Sequence, residues 1–315
     1  MYKDKKVLLI AGGGTLGNYT AKELLRLGAK VDVICPEDKV SDHENLRFFK
    51  TLATDEFLID LFKKEHYNGI VNFIHYPDAE KYPPMHKLLT DNTDHLIFLS
   101  SYRVYADLEH PITENAPMLL DTMDDPEFLA KETYALSKAK AEKYIRSQKD
   151  IKNWTIIRPV ISFSDKRFDI VTINEHFVPE YTKAGKTMYL PEIAKNLISS
   201  LDWAGNTGKI IANILFKEEA LGEAYTISSA QNLTWGEVAE LYTELIGTKF
   251  EWIDTEEWLS HPEYVHNDRW AAVYDRFYDR ETDNSKVMKL TGLKKEDFTS
   301  IKEGLEIELK KINML

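Results

Sequence analysis

The chain of 315 residues is long enough for two domains, or for one large α/β domain with an appended cap, and too long for a minimal binding module. Its 40 Lys and Arg against 52 Asp and Glu give a net charge of -12, spread along the chain, which argues against nonspecific nucleic-acid binding and against docking on anionic lipid. Hydrophobic residues at 43% suffice for a substantial core, so disorder of the whole chain is excluded. The single cysteine, Cys35, cannot form an intramolecular disulfide, and no Cys/His spacing of the zinc type occurs, so no metal is expected. The apolar run at 7–11 is too short for a signal-peptide core, and no run approaches the length of a membrane span. The expectation is a cytoplasmic protein with no membrane partner.

Through residue 160, short β-branched runs alternate with amphipathic stretches, the pattern of a parallel sheet flanked by helices. Strands are predicted at 6–10, 30–34, 47–49, 69–74, 95–100 and 154–158, and the clearest helix at 16–27, which stops at Gly28. Beyond Pro159 the rhythm breaks. The rest reads as mostly helical, with helices at 193–201, 235–246 and 301–312 and one strand at 224–228. Residues 251–280 hold Trp252, Trp258, Tyr264, Trp270, Tyr274, Phe277 and Tyr278 among many charges, and read as a packed cap ahead of a ligand-stacking surface. No linker separates the halves, so a ligand is expected in the cleft between them.

The first strand runs into Ala11-Gly12-Gly13-Gly14-Thr15-Leu16-Gly17 and then a helix. Glycines at such a turn let the chain fold tightly, admit a pyrophosphate to the backbone and bring the helix close to the strand. The helix N-terminus then offers N–H groups and the positive end of a dipole. Both Gly12-x-Gly14-x-x-Gly17 and Ala11-x-x-Gly14-x-x-Gly17 fit the chain, which assigns Gly12, Gly14, Thr15, Leu16 and Gly17 to a dinucleotide. At the end of the second strand Glu37 and Asp38 follow Cys35 and Pro36, and no arginine is there to meet a 2'-phosphate; this favours NAD, with NADP left open.

The fifth predicted strand ends in Ser100-Ser101, and Tyr134-Ala135-Leu136-Ser137-Lys138 follows within a helical pattern. Four residues apart, Tyr134 and Lys138 share one helix face, and an ammonium close to a phenol favours the phenolate. Tyr134 is therefore the candidate general acid/base, Ser101 the partner of the reacting oxygen, and Lys138 the group that holds Tyr134 ionised or bonds ribose hydroxyls.

In this order the motifs resemble the extended short-chain dehydrogenases/reductases, the family of the NAD-dependent epimerases and dehydratases, over nearly the whole chain. The resemblance is carried by the glycine turn, Ser101 with Val104-Tyr105, Tyr134 with Lys138, Arg158-Pro159, Gly222 to Ile227, Leu233-Thr234-Trp235 and Asp283-Asn284-Ser285-Lys286. The segment Phe73-Ile74-His75-Tyr76-Pro77-Asp78 is most similar to a subgroup that includes chloroplast stem-loop-binding proteins. The resemblance implies an α/β fold: a Rossmann-type doubly wound parallel sheet in residues 1–160, with return segments from the C-terminal half, and a smaller, mostly helical substrate-binding region in 161–315. It also implies NAD, a small carbohydrate-like substrate with a secondary alcohol, and in many members a homodimer built through helices.

Departures from the family pattern narrow the chemistry. Where the dehydratases carry Asp-Glu this chain has Tyr102 and Arg103, which disfavours a 4,6-dehydratase; Ile161, Phe163-Ser164 and Leu52 replace other family residues, so a nucleotide diphosphate on the substrate is not assured. Tyr102, Arg103 and Arg158 are expected on the substrate side, and the two arginines would meet any anionic group. His75, at the end of the fourth strand, reads either as a group beside the nicotinamide or as simple loop packing, and Cys35 as a lining of the adenosine pocket rather than a nucleophile. Two alternatives share the fold: a nucleotide-sensing or RNA-associated binding protein without catalysis, and a ketoreductase of a non-sugar substrate.

Overall fold

The computed structural model describes residues 2–41, 43–173, 175–262 and 269–315. Six strands of the first half, β1 (Lys6–Ile10), β2 (Lys30–Cys35), β3 (Leu46–Lys50), β4 (Tyr67–Asn72), β5 (Thr93–Leu99) and β6 (Trp154–Pro159), lie within two residues of their predicted bounds. Three short strands follow, β7 (Ile161–Phe163), β8 (Thr187–Pro191) and β9 (Leu201–Trp203), then β10 (Glu223–Ile227) and β11 (Lys249–Ile253). The main sheet has seven parallel strands in the order β10-β6-β5-β4-β1-β2-β3. Strand order reverses between β1 and β4, and the crevice outside their carboxyl ends is where an open α/β sheet receives a ligand.

Burial on both faces explains the near-continuous apolar strands. Alternate residues leave the sheet on opposite sides: Val7, Leu9, Val31, Val33 and Ile97 pack with Leu24, Ile210 and Ile214, whereas Leu8, Ile10, Ile34, Ile70 and Phe98 pack with Leu58, Leu89 and Ile145. Helices Thr15–Arg26 and Ala204–Ile214 therefore cover one face and helices Asp55–Phe62, Tyr82–Thr90 and Ala135–Ser147 the other. Residues 204–227 thus return to the sheet after the chain has left it.

The second half departs from its expected helicity. It forms four further short strands, β8 pairing β11 and β7 pairing β9, each three to five residues long. Of the expected 193–201 helix only Ile193 and Ala194 are helical, within the single 3-10 turn Glu192–Ala194. Beyond it, Ser199 N–H donates to the Leu233 carbonyl and Trp235 N–H to the Leu197 carbonyl, so pairing with a distant segment overrides the local periodicity. Helix Trp235–Ile246 matches its expected bounds and opens on a capping box between Thr234 and Glu237.

In the aromatic segment, Trp258 is buried and donates from its indole nitrogen to the Tyr189 carbonyl, and Trp270 stacks on Tyr274 at 5.8 Å. Tyr264 lies outside the described residues. Among the described residues, no helix is long and apolar enough to cross a membrane.

Candidate functional site

β1 ends where Ala11 takes a positive φ of 56°, and the turn passes into a helix whose first turn has neither an acidic residue nor a side-chain cap. A Cβ on Gly17 would stand 2.3 Å from the Gly12 carbonyl oxygen, so Gly17 and Gly12 close the turn. At Gly14 a Cβ would meet nothing within 4 Å, so this glycine faces open space at the helix N-terminus. Free first-turn N–H groups beside an unobstructed backbone suit a pyrophosphate.

That opening belongs to a cavity of about 680 Å³. Ala11, Gly14, Thr15, Leu16 and Gly17 line one part; Ser101, Tyr102, Arg103 and Tyr134 line another, together with Ser162, Arg167, Thr172 and Arg276. The structure thus brings the glycine turn, Ser101 and Tyr134 into one space, although 87 and 120 residues separate Gly14 from them in the chain. Gly12, His75, Lys138, Cys35 and Arg158 are not among its lining residues.

Tyr134 occupies the N-cap position of helix Ala135–Ser147. Glu132 aims it: this buried carboxylate accepts from the N–H groups of Tyr134, Ala135 and Leu136 at 3.0, 2.8 and 2.9 Å. The phenol ring lies between His75, at 4.8 Å between centroids, and the Arg103 guanidinium, at 4.9 Å. His75 shares a 3.0 Å hydrogen bond with Ser137, and burial followed by the nearby Lys138 charge pushes its pKa down. Ser101 accepts the Arg103 N–H at 3.2 Å, which leaves its own proton available to a substrate oxygen.

Lys138 is 2% exposed. Its ammonium donates to the Leu99 carbonyl at 2.5 Å and the Ile74 carbonyl at 3.4 Å, and burial brings its pKa from 10.5 to about 7. The unfolded chain keeps this proton up to the ordinary lysine range, while the folded chain releases it above about 7. Stability must therefore rise with pH through that window, the burial cost being fully present below it. Relative to Lys138→Met, wild type should gain at most about 1.4 kcal/mol per pH unit between those limits in urea titrations. A constant difference from pH 7 to 10 would contradict the burial of a titrating ammonium.

Two expected site residues are placed elsewhere. Arg158 is fully buried, and its guanidinium grips Glu142 through two bonds of 2.9 and 2.5 Å and donates to the Tyr105 hydroxyl at 2.7 Å. Its neighbour Ser100 donates to the same carboxylate, so Arg158 braces the sheet against helix Ala135–Ser147 and is not among the residues that line the cavity. Cys35 is 1% exposed and packed beneath Gly13, where a Cβ would stand 2.7 Å from its own; burial raises its thiol pKa. It therefore packs against the glycine turn at Gly13.

Tyr102 is buried, donating to Asp275 at 3.2 Å and accepting from Arg276 at 2.9 Å. Asp38 is drawn away from the turn by Lys50, and Glu37 approaches Gly13. Lys39 and Lys166 both donate to the Gly13 carbonyl, at 2.7 and 2.9 Å. These two ammonium groups were not foreseen, nor were Arg167, Thr172 and Arg276. Arg276 comes from a wide π-type turn, Ala272–Arg276, kinked at Tyr274, and no sequence periodicity marks such a turn.

No protein-family model matches the sequence, and no curated protein matches it. Solved structures do match in fold over essentially the whole chain. The epimerase Mth375 of Methanothermobacter thermautotrophicus matches with a TM-score of 0.74 at 16% identity, over 99% of this chain and 93% of its own. The UDP-glucose 4-epimerase of Thermus thermophilus, solved with NAD, matches at 0.69 and 16% over 98% and 99%. The UDP-glucuronic acid 4-epimerase of Bacillus cereus, solved with UDP-glucuronic acid and NAD, matches at 0.69 and 14% over 98% and 99%. The fold is thus the Rossmann-type α/β fold of these epimerases.

Proposed function

We propose that the chain is an NAD-dependent oxidoreductase or epimerase of the extended short-chain dehydrogenase/reductase type, acting on a secondary alcohol. The observation that carries this reading is the single cavity running from the open face of Gly14 to Ser101 and Tyr134. The fold shared with epimerases solved with NAD supports it. The subgroup with stem-loop-binding proteins has only the 73–78 segment in its favour.

In this reading Gly14 and the first-turn N–H groups of helix Thr15–Arg26 hold the pyrophosphate. Bound there, the dinucleotide supplies a hydride acceptor. Tyr134 takes the hydroxyl proton from the substrate, and Ser101 donates a hydrogen bond to the oxygen as it becomes a carbonyl. Glu132 fixes the backbone of Tyr134, and Lys138 holds Leu99 and Ile74 beside it. Lys39 and Lys166 make NADP the comparison to run beside NAD.

Incubation with NAD and a panel of sugar and hydroxy-acid alcohols tests the reading. Net NADH marks a dehydrogenase, and an inverted carbinol centre without net NADH marks an epimerase. No Tyr134-dependent conversion of any kind would overturn both. Dimerisation belongs to the same proposal: sedimentation should give twice the chain mass of 36.5 kDa.

A further inference from the structure

The substrate half of the cavity is built for charge. Arg103, Arg167 and Arg276 line it, and no Asp or Glu is among its described lining residues. The balancing carboxylates stand behind the guanidiniums. Asp169, 1% exposed, grips Arg167, and Asp275, fully buried, contacts Arg103, Arg276 and Arg280. Glu132, near Arg103, is already engaged by three helix N–H groups. Asp169 and Asp275 thus hold the guanidiniums of Arg167 and Arg276, and neither carboxylate is among the described residues that line the space.

An independent observation points the same way. Thr172 lines the cavity and is 9% exposed, and its hydroxyl has no hydrogen-bond partner among the described residues. A buried hydroxyl is ordinarily satisfied, so one left open beside arginines is a donor awaiting an acceptor. Carboxylate and phosphate oxygens are the acceptors that guanidinium forks and hydroxyls hold together. The position is close to the chemistry, because the Arg103 guanidinium lies 4.9 Å from the centroid of the Tyr134 ring.

We propose that this half of the cavity is an oxyanion site: the substrate carries a carboxylate or a phosphate a few bonds from its reacting alcohol, received by Arg103, Arg167, Arg276 and the Thr172 hydroxyl. The inference rests on the reading of Tyr134 and Ser101 as the reacting pair only for what it says about the alcohol; the anion site stands on its own residues. An anion held beside Tyr134 fixes which carbon faces the phenol, and it selects acids over neutral sugars.

Calorimetric titration of the protein with malonate and with inorganic phosphate, using glucose as the neutral control, tests the site. At least one anion should bind saturably and the control should not; the anion that binds more tightly identifies the group. Thr172→Val, which removes only the unsatisfied hydroxyl, should retain its thermal midpoint and weaken anion binding about tenfold, and Thr172→Ser should restore it. Arg276→Gln should abolish binding, and Arg167→Gln, at a less buried position, should weaken it. No saturable anion binding, or wild-type affinity in both Thr172→Val and Arg167→Gln, would overturn the proposal. NADH binding measured on the same samples separates the two readings: its loss with anion binding intact defeats the cofactor assignment alone, and the reverse defeats the oxyanion site alone.

Discussion

Replacing Tyr134 with Phe should lower turnover by about 10²- to 10⁴-fold, the range of a positioned general acid/base, while NADH binds almost as before. The variant removes one oxygen and keeps the ring. Its contacts with His75 and Arg103 are made by the ring, and Glu132 bonds the backbone, so the fold and the neighbouring side chains have no reason to move. A structural role for this tyrosine gives the opposite pattern, with turnover retained. Stopped-flow absorbance of the nicotinamide measures the chemical step, and fluorescence titration measures binding. Turnover within a factor of a few of wild type would remove Tyr134 from the mechanism.

The second large effect concerns stability. Glu142→Ala would leave the Arg158 guanidinium buried without its carboxylate, and also remove the acceptor of Ser100. Breaking a buried pair from one side costs about 3–5 kcal/mol, because the remaining charge stays out of water. By contrast, Asp91→Ala, which breaks the exposed helical pair with Lys87, should cost under about 1 kcal/mol. Urea midpoints of the two variants measure the difference directly. Equal small losses would mean that water reaches Arg158, and would reopen its assignment to the cleft.

Arg158 shows where sequence reasoning reaches its limit. A strand-end arginine beside a proline reads as a cleft residue, but side chains alternate across a strand, and this one points into the layer under helix Ala135–Ser147, where Glu142 waits. The main sheet was legible because strands buried on both faces are near-continuous apolar runs: Val7 to Ile10, Val33 to Cys35 and Ile70 to Val71 need no partner to be recognised. β7 and β9 were not, since three residues carry no period and pairing came from 40 residues away. Ser101 and Tyr134 were legible by type and order, and the structure gathers them with Gly14 in one cavity. Arg167, Thr172 and Arg276 arrive from irregular turns, where neither pattern nor propensity indicates which way a side chain faces. Lys39 was hidden behind Glu37 and Asp38, whose charges suggested repulsion of a phosphate; only the fold reveals that Asp38 turns to Lys50 and Lys39 to the glycine turn.

The central claim is that the space in front of Gly14 receives a dinucleotide. Gly14 has a φ of -82°, which any residue adopts, and its Cβ direction is empty, so Gly14→Val fills the space without straining the turn. Equilibrium dialysis of wild type and this variant against NADH, with circular dichroism as the control for folding, tests the claim most directly. Saturable binding of one NADH per chain in wild type, abolished in a folded Gly14→Val, is the expected result. Absence of binding in wild type, or equal binding in the variant, would contradict it.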